Sequence, residues 1–293
     1  MLTDIGRLQM RVLDLAACIK FYGEVLRLPE IGRGIGTGGR KSVAFTIGQS
    51  ILEIQEDPGA VNGRLPSGNP NKEWATVPGS VNHIALYVDD NDVVYTALHG
   101  KAPEAYVHGG PQPQPLGHTY LQRSLIDYWD PNGLIIQISE TIDERPEVQS
   151  HRKKKEELRR ATDSSSFFHG FDHLSIYITD TEATRDLFVN KLEMTELGDG
   201  TMEDRSQAVF KVGITDLEMN ETDAYRNKIL GSGIVNMLGF WTEDIDQTYH
   251  RLKDAGSAVS GPPMDVTPLP GVNIRSFDIE GPDGLPLEIA ERR

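Results

Sequence analysis

VNHIALYVDD (Val81 to Asp90) and FDHLSIYITD (Phe171 to Asp180) write one pattern twice in a single chain. In both, a histidine opens an alternating apolar run that closes on an acidic turn. Alternation is the period of a strand with one buried face, so each copy predicts a strand carrying a histidine near its start. Two weaker copies, GRLQMRVLDL (Gly6 to Leu15) and VNMLGFWTEDI (Val235 to Ile245), bring the repeats to four. Internal repetition of this kind sets the architecture, because each unit buries its apolar face against a neighbouring unit.

Each copy runs into a helical pattern: ACIKFYGEVLRL at 17–28, DVVYTALHGK at 92–101, TEATRDLFVNKLEM at 181–194 and DIDQTYHRLKDAG at 244–256. Phe21, Val25 and Leu28, like Leu187, Val189 and Leu192, keep one face apolar. Strand-like runs follow each helix. The last of them is a short apolar segment with a polar centre: SILEIQED (50–57), GLIIQISE (133–140), ITDLEMNE (214–221) and GLPLEIAE (284–291). Tight turns, DPNG at 130–133 and GPDG at 281–284, precede two of these.

The expected fold class is therefore α+β: four βαβββ modules, at about 5–58, 80–141, 170–222 and 233–293, forming two cupped, half-open mixed sheets. Along the chain the first pair occupies 1–145 and the second 170–293. The stretch between them, 146–169, is polar, carries a basic run at Arg152 to Lys155 and ends among serines, which reads as a linker with a solvated helix.

A length of 293 residues suits two domains, each with a core of its own. A formal charge of −15 argues against nucleic acid as a partner, because phosphate binding needs a basic face; the run HRKKKEELRR is broken by glutamates. The single cysteine, Cys18, has no internal partner for a disulfide and lies in a helical apolar pattern, where it reads as a small buried hydrophobe in a reducing compartment. The opening MLTDIGRLQM is not a basic segment followed by an apolar one, and no run approaches a membrane span, so the expectation is a cytoplasmic protein without a membrane partner. Monomer and homodimer are both open.

A fourfold βαβββ repeat with His on the first strand and Glu or Gln on the last resembles the vicinal oxygen chelate superfamily. That group includes glyoxalase I, methylmalonyl-CoA epimerase, type I extradiol ring-cleaving dioxygenases and bleomycin-resistance proteins. GRLQMRVLDL followed by FYGEVLRL is similar to the opening of catechol-type extradiol dioxygenases, and DPNGLIIQI and GPDGLPLEI are similar to the family's closing strand. The resemblance covers nearly the whole chain apart from the linker. It implies one cupped sheet per two modules, with a divalent metal ion inside and two ligand positions per module, on its first and last strands. The scaffold is shared by different reactions, so it implies a fold before a reaction.

Aligned in this way, the four modules offer Arg7 and Glu53, His83 and Gln137, His173 and Glu218, and Met237 and Glu288. Pairing consecutive modules makes two imperfect sites: one holds the permanent cation of Arg7, the other His173, Glu218, Glu288 and the soft, weak ligand Met237. Pairing the inner two modules instead gathers His83, Gln137, His173 and Glu218, a sound set for one divalent ion (Fe, Mn, Co, Ni or Zn) with room for two substrate oxygens. That order is similar to the set in methylmalonyl-CoA epimerases. The outer cup would then hold Arg7, Glu53, Met237 and Glu288, with Arg7 and Glu53 expected as an ion pair. Inner pairing is the expectation, and consecutive pairing stays open. For any one histidine the bland reading is a satisfied side chain at a strand end; two at equivalent repeat positions, each matched by a ligand-type residue, favour the metal.

The resemblance implies a small vicinally oxygenated substrate. The preferred reaction is isomerisation or epimerisation through a stabilised enolate, with Glu218 doubling as ligand and base. The alternative is Fe(II) extradiol cleavage of a catechol or hydroquinone; ring-cleaving relatives carry a supporting His and Tyr where this chain reads DPNGL and RSQAVF, which counts against it. As a fourth ligand Gln137 favours proton transfer, and as a bystander it permits oxygen chemistry. The loop HGGPQPQPLGHTYLQR (His108 to Arg123) reads either as a lid or as a surface excursion, and it brings His118 and Tyr120 forward as candidate catalytic groups. A third reading is a metal-free protein that sequesters a small molecule.

Overall fold

The computed structural model describes residues 1–60, 81–99, 111–113, 122–146, 148, 153, 157, 166–202, 205–221 and 235–293. Most of the 146–169 linker lies outside these residues. The first module comprises β1 (Leu2–Val12), α1 (Leu15–Cys18, continuing as a π-helix over Ile19–Val25), β2 (Glu30–Ile35), β3 (Lys41–Ile47) and β4 (Ser50–Glu56). The second comprises β5 (Val81–Tyr87), α2 (Asn91–His99), β6 (Gln112–Pro113), β7 (Arg123–Trp129) and β8 (Ile135–Thr141). The third comprises β9 (Gly170–Ile178), α3 (Thr181–Arg185, continuing as a π-helix over Asp186–Lys191), β10 (Thr195–Met202), β11 (Arg205–Val212) and β12 (Thr215–Glu221). The fourth comprises β13 (Val235–Thr242), α4 (Ile245–Asp254), β14 (Met264–Leu269), β15 (Val272–Glu280) and β16 (Pro286–Arg292).

The acidic turn that closes each repeated strand is a helix cap. Asp14, Asp180 and Asp244 each accept a hydrogen bond at 2.9 Å from the backbone N–H three residues on, at Ala17, Ala183 and Gln247, and Asp90 does the same for Val93. Such caps satisfy N–H groups that a first helical turn leaves without partners. The first and third helices also end alike. Leu26 N–H bonds Phe21 carbonyl and Leu192 N–H bonds Leu187 carbonyl, both at 2.9 Å, and Arg27 and Glu193 then turn the chain at φ 57°.

Two sheets result, each with eight strands, in the orders β14-β15-β16-β13-β1-β4-β3-β2 and β10-β11-β12-β9-β5-β8-β7-β6. In every module the first strand runs parallel to the last, as in β1 with β4 and β5 with β8. Modules join through their first strands, antiparallel: β1 with β13, and β5 with β9. The inner two modules thus share one sheet and the outer two share the other, so the spatial division differs from the order along the chain. In the outer sheet the edge strands β2 and β14 meet, with Gly34 against the Pro270 ring, and the sheet is nearly closed.

Ile5, Leu8 and Leu52 of one sheet and Ile84, Leu174 and Leu217 of the other belong to a single buried core. Because strand residues alternate between faces, His83 and Ala85 look away from the side that Ile84 and Leu86 pack. Cys18 is fully buried and, with no charge to gain there, its thiol is held well above the ordinary range by burial and by Asp130. No helix among the described residues is long and apolar enough to cross a membrane.

The halves are locked by a reciprocal contact. The β3–β4 turn places Gly48 (φ 59°) against the His169 carbonyl, and the β11–β12 turn places Gly213 (φ 60°) against the Thr3 carbonyl. An added Cβ would lie 2.2 Å and 2.1 Å from those oxygens. Both positions need a positive φ and empty space, which only glycine supplies. Gly48→Ala and Gly213→Ala should therefore each lower unfolding stability by about 1–3 kcal/mol. Urea denaturation of the two variants measures this; losses below ~0.5 kcal/mol would mean that the turns shift without cost.

Candidate metal centre

The inner sheet sets the candidate side chains in two rows. One row reads Ile135, His83, Ser175, Glu218 across β8, β5, β9 and β12; the next reads Gln137, Ala85, His173, Asp216 across the same strands. Paired residues share a face, so all four expected ligands are on the same side of the sheet. Small residues, Ala85 and Ser175, separate the large ones and leave space above them.

The structure brings His83, His173 and Glu218 together, with one ligand atom from each lying within 4.8 Å of the others. His83 is partly exposed, whereas His173 and Glu218 are buried. The imidazoles meet edge to face, ring centroids 5.1 Å apart. Each ring presents Nδ1 to an oxygen that accepts: His83 to Asn82 Oδ1 at 2.8 Å, His173 to Asp172 Oδ2 at 3.0 Å. With the proton on Nδ1, both Nε2 atoms carry lone pairs, and they face each other at 3.0 Å. Two lone pairs at that separation repel unless a cation is shared between them. Burial, the second ring and the cation of Arg123 hold His83 well below the ordinary imidazole range, which keeps it neutral and able to ligate.

Gln137 donates from Nε2 to Asp127 Oδ1 at 3.0 Å, while its Oε1 is buried and takes no hydrogen bond. A buried carbonyl oxygen without a donor is costly unless something else meets it. Two imidazole nitrogens, a carboxylate and a spare amide oxygen are the donor types that fit a divalent transition ion. The expected catalytic groups His118 and Tyr120 lie outside the described residues, so Glu218 is the described one of the three.

Three groups escaped the sequence reading. Arg123 is fully buried beside the centre and pairs with Asp172 (2.8 Å), Asp216 (3.1 Å) and Glu218 (3.4 Å). Three carboxylates thus face one guanidinium. Burial, Glu218 and Asp4 push the Asp216 carboxyl well above its usual range. Asp172 directly precedes His173, and Asp216 stands two residues before Glu218, so both were visible as acids beside ligands. Nothing in the sequence near Arg123 marked it.

The outer sheet holds the other four positions, filled differently. Arg7 Nη1 pairs with Glu53, the expected ion pair, and its other edge forms a fork on Glu288, with Nε to Oε2 at 2.9 Å and Nη2 to Oε1 at 2.7 Å. Nη2 also reaches Met237 Sδ at 3.6 Å. The guanidinium thus takes the place that an ion would occupy among these four side chains.

The family model of the Glyoxalase/Bleomycin resistance protein/Dioxygenase superfamily matches residues 4–138 and 170–289. The chain belongs to that superfamily. Among solved structures it is similar to a putative dioxygenase from Bacillus subtilis, at 15% identity and TM-score 0.70, covering 99% of this chain and 86% of that one. It is also similar to a glyoxalase I variant from Zea mays, at 16% identity and TM-score 0.65, covering 98% and 93%. At these identities the likeness is one of fold. No curated protein matches. Members of the superfamily usually bind a divalent metal, and the superfamily includes enzymes of both kinds named by these neighbours.

Removing the cation from the outer cup should expose its structural role. Arg7→Met leaves Glu53 and Glu288 buried without a counter-charge and should cost about 3–5 kcal/mol. Metal content should be unchanged in whatever variant protein folds. Thermal unfolding and elemental analysis of wild type and variant read both.

Proposed function

We propose that the protein is a metal-dependent enzyme of this superfamily that isomerises or epimerises a small substrate with two neighbouring oxygens. His83, His173, Glu218 and Gln137 would hold one divalent ion. The observation that carries the reading is the convergence of two imidazole Nε2 atoms and a carboxylate on the face of the sheet that also carries a buried amide oxygen without a donor. When bound, such an ion supplies Lewis-acid stabilisation of negative charge on substrate oxygens.

The chain's own groups supply the rest. Glu218 is the base that takes a proton from the carbon next to a carbonyl; the C–H electron pair moves into an enolate, and a proton exchangeable with solvent returns to the neighbouring carbon from Glu218 or, for epimerisation, to the opposite face from water; no oxidant enters. Gln137, held by Asp127, would keep its oxygen turned to the ion and leave two adjoining positions for the substrate.

A second reading has its own support. Two histidines and one carboxylate also make the facial set of non-haem Fe(II) oxygenases, which open catechols or hydroquinones with dioxygen. In that case Gln137 would be a bystander.

The deciding experiment combines metal content with isotope exchange. Wild type should carry one ion per chain, His83→Ala should lose it, and Glu288→Ala should keep it in the protein that folds. With 2-hydroxy and 2-oxo carbonyl compounds, solvent deuterium should enter the substrate without oxygen uptake, and Glu218→Gln should slow exchange by about 100-fold or more. Oxygen consumption with catechols under Fe(II) would select the second reading. Retention of small-molecule binding by a metal-free His83→Ala protein would instead make this a sequestering protein.

A further inference from the structure

The two cups are copies of one scaffold, so the molecule contains its own control. The register that sets His173 against Asp216 in the inner sheet sets Arg7 against Ile51 in the outer one. Arg123, the first residue of β7, pairs with Thr141, the last of β8, and the corresponding residue of the fourth module is Ile274, paired with Arg292. Asp172 corresponds to Gly6. The buried trio Arg123, Asp172 and Asp216 therefore occurs in the cup with two histidines, and Ile274, Gly6 and Ile51 replace it in the cup without them.

Asp172 reaches this cluster by a local irregularity. Ala85 pairs with His173 and Leu86 with Phe171, so Asp172 is one residue too many on β9. Neighbouring strand residues normally point to opposite faces, and a bulge re-aims one of them. Here the carboxylate of Asp172 swings to the side of His173: its Oδ2 meets His173 Nδ1 at 3.0 Å, accepts from Ser139 Oγ at 2.9 Å, and forms an ion pair with Arg123 Nε at 2.8 Å. The far end of the same guanidinium lies 3.4 Å from Glu218 Oε1.

We propose that Arg123 is the positioning residue of the metal centre: one guanidinium from the second module sets two ligands of the third. It holds the Glu218 carboxylate directly. Through Asp172 it holds the Nδ1–H of His173, and so the aim of His173 Nε2. This inference rests on the metal-binding reading. A guanidinium suits the role because its planar fork fixes direction as well as charge, which a lysine does not. Partners of this kind are the groups whose loss weakens a metal site without touching a ligand.

The test uses the full chain stripped with a chelator and titrated with Co(II), whose visible ligand-field absorption reports ligand geometry. Arg123→Met should weaken Co(II) binding by about 10- to 100-fold and alter the band shape. Arg123→Lys should recover part of the affinity but not the wild-type spectrum, and Asp172→Asn should give a similar change of spectrum. If Arg123→Met does not fold, Arg123→Lys and Asp172→Asn carry the test. Lower melting temperatures with Co(II) affinity within twofold of wild type and an unchanged spectrum would mean that Arg123 only stabilises the fold, and the proposal fails. His83→Ala is the reference: if it also leaves Co(II) binding intact, the metal reading itself is wrong.

Discussion

A carboxylate taken out of water must be answered by positive charge, and both cups of this protein are arranged around that requirement. In the outer cup the answer is one side chain: Glu53 and Glu288 both pair with Arg7. In the inner cup Arg123 answers three acids, and burial, Glu218 and Asp4 hold the Asp216 carboxyl well above its usual range. A divalent ion held by the neighbouring side chains, as proposed, would add positive charge there. A scaffold that can be completed by either a guanidinium or an ion explains how similar modules yield such different interiors.

The same duplication governs how the sheets meet. Gly48 and Gly213 occupy equivalent turns and press on equivalent carbonyls, those of His169 and Thr3. Thr215 Oγ1 bonds the Phe171 carbonyl at 3.1 Å, and Ser50 Oγ bonds the Ile5 carbonyl at 2.8 Å, again at matching places. Each half thus steadies the start of the other half's first strand, a few residues before the position that becomes His173 in one cup and Arg7 in the other. The start of the strand that carries His173 is thus packed against a turn of the outer sheet.

Much of this was legible because strand register and repeat register are the same information. Once VNHIALYVDD and FDHLSIYITD are aligned, His83 and His173 must fall on equivalent strands, and their closing strands carry Gln137 and Glu218 at comparable distances along the chain. The acidic turns announced the helix caps for a similarly local reason. The π-helical continuations of α1 and α3 were not legible, since an apolar face at helical spacing does not reveal a widened turn. The Arg123 cluster was hidden for a different reason: its members come from β7, a bulge in β9 and β12, and an arginine's burial depends on acids about 50 and 90 residues further on. The fork of Arg7 on Glu288 spans 281 positions and was equally invisible.

The contrast between the cups also bears on what each can do. A guanidinium only donates, and in the outer cup its donors face Glu53, Glu288 and Met237, so it offers a substrate oxygen little beyond what it already gives to protein. A metal ion held by the inner set, as proposed, would leave positions for incoming oxygens. The sheet whose edge strands β2 and β14 meet is the outer one, the one that carries the Arg7 fork. The requirement is thus met differently in the two cups: by one arginine between two glutamates in the outer sheet, and by one arginine among three acids, beside two histidines, in the inner.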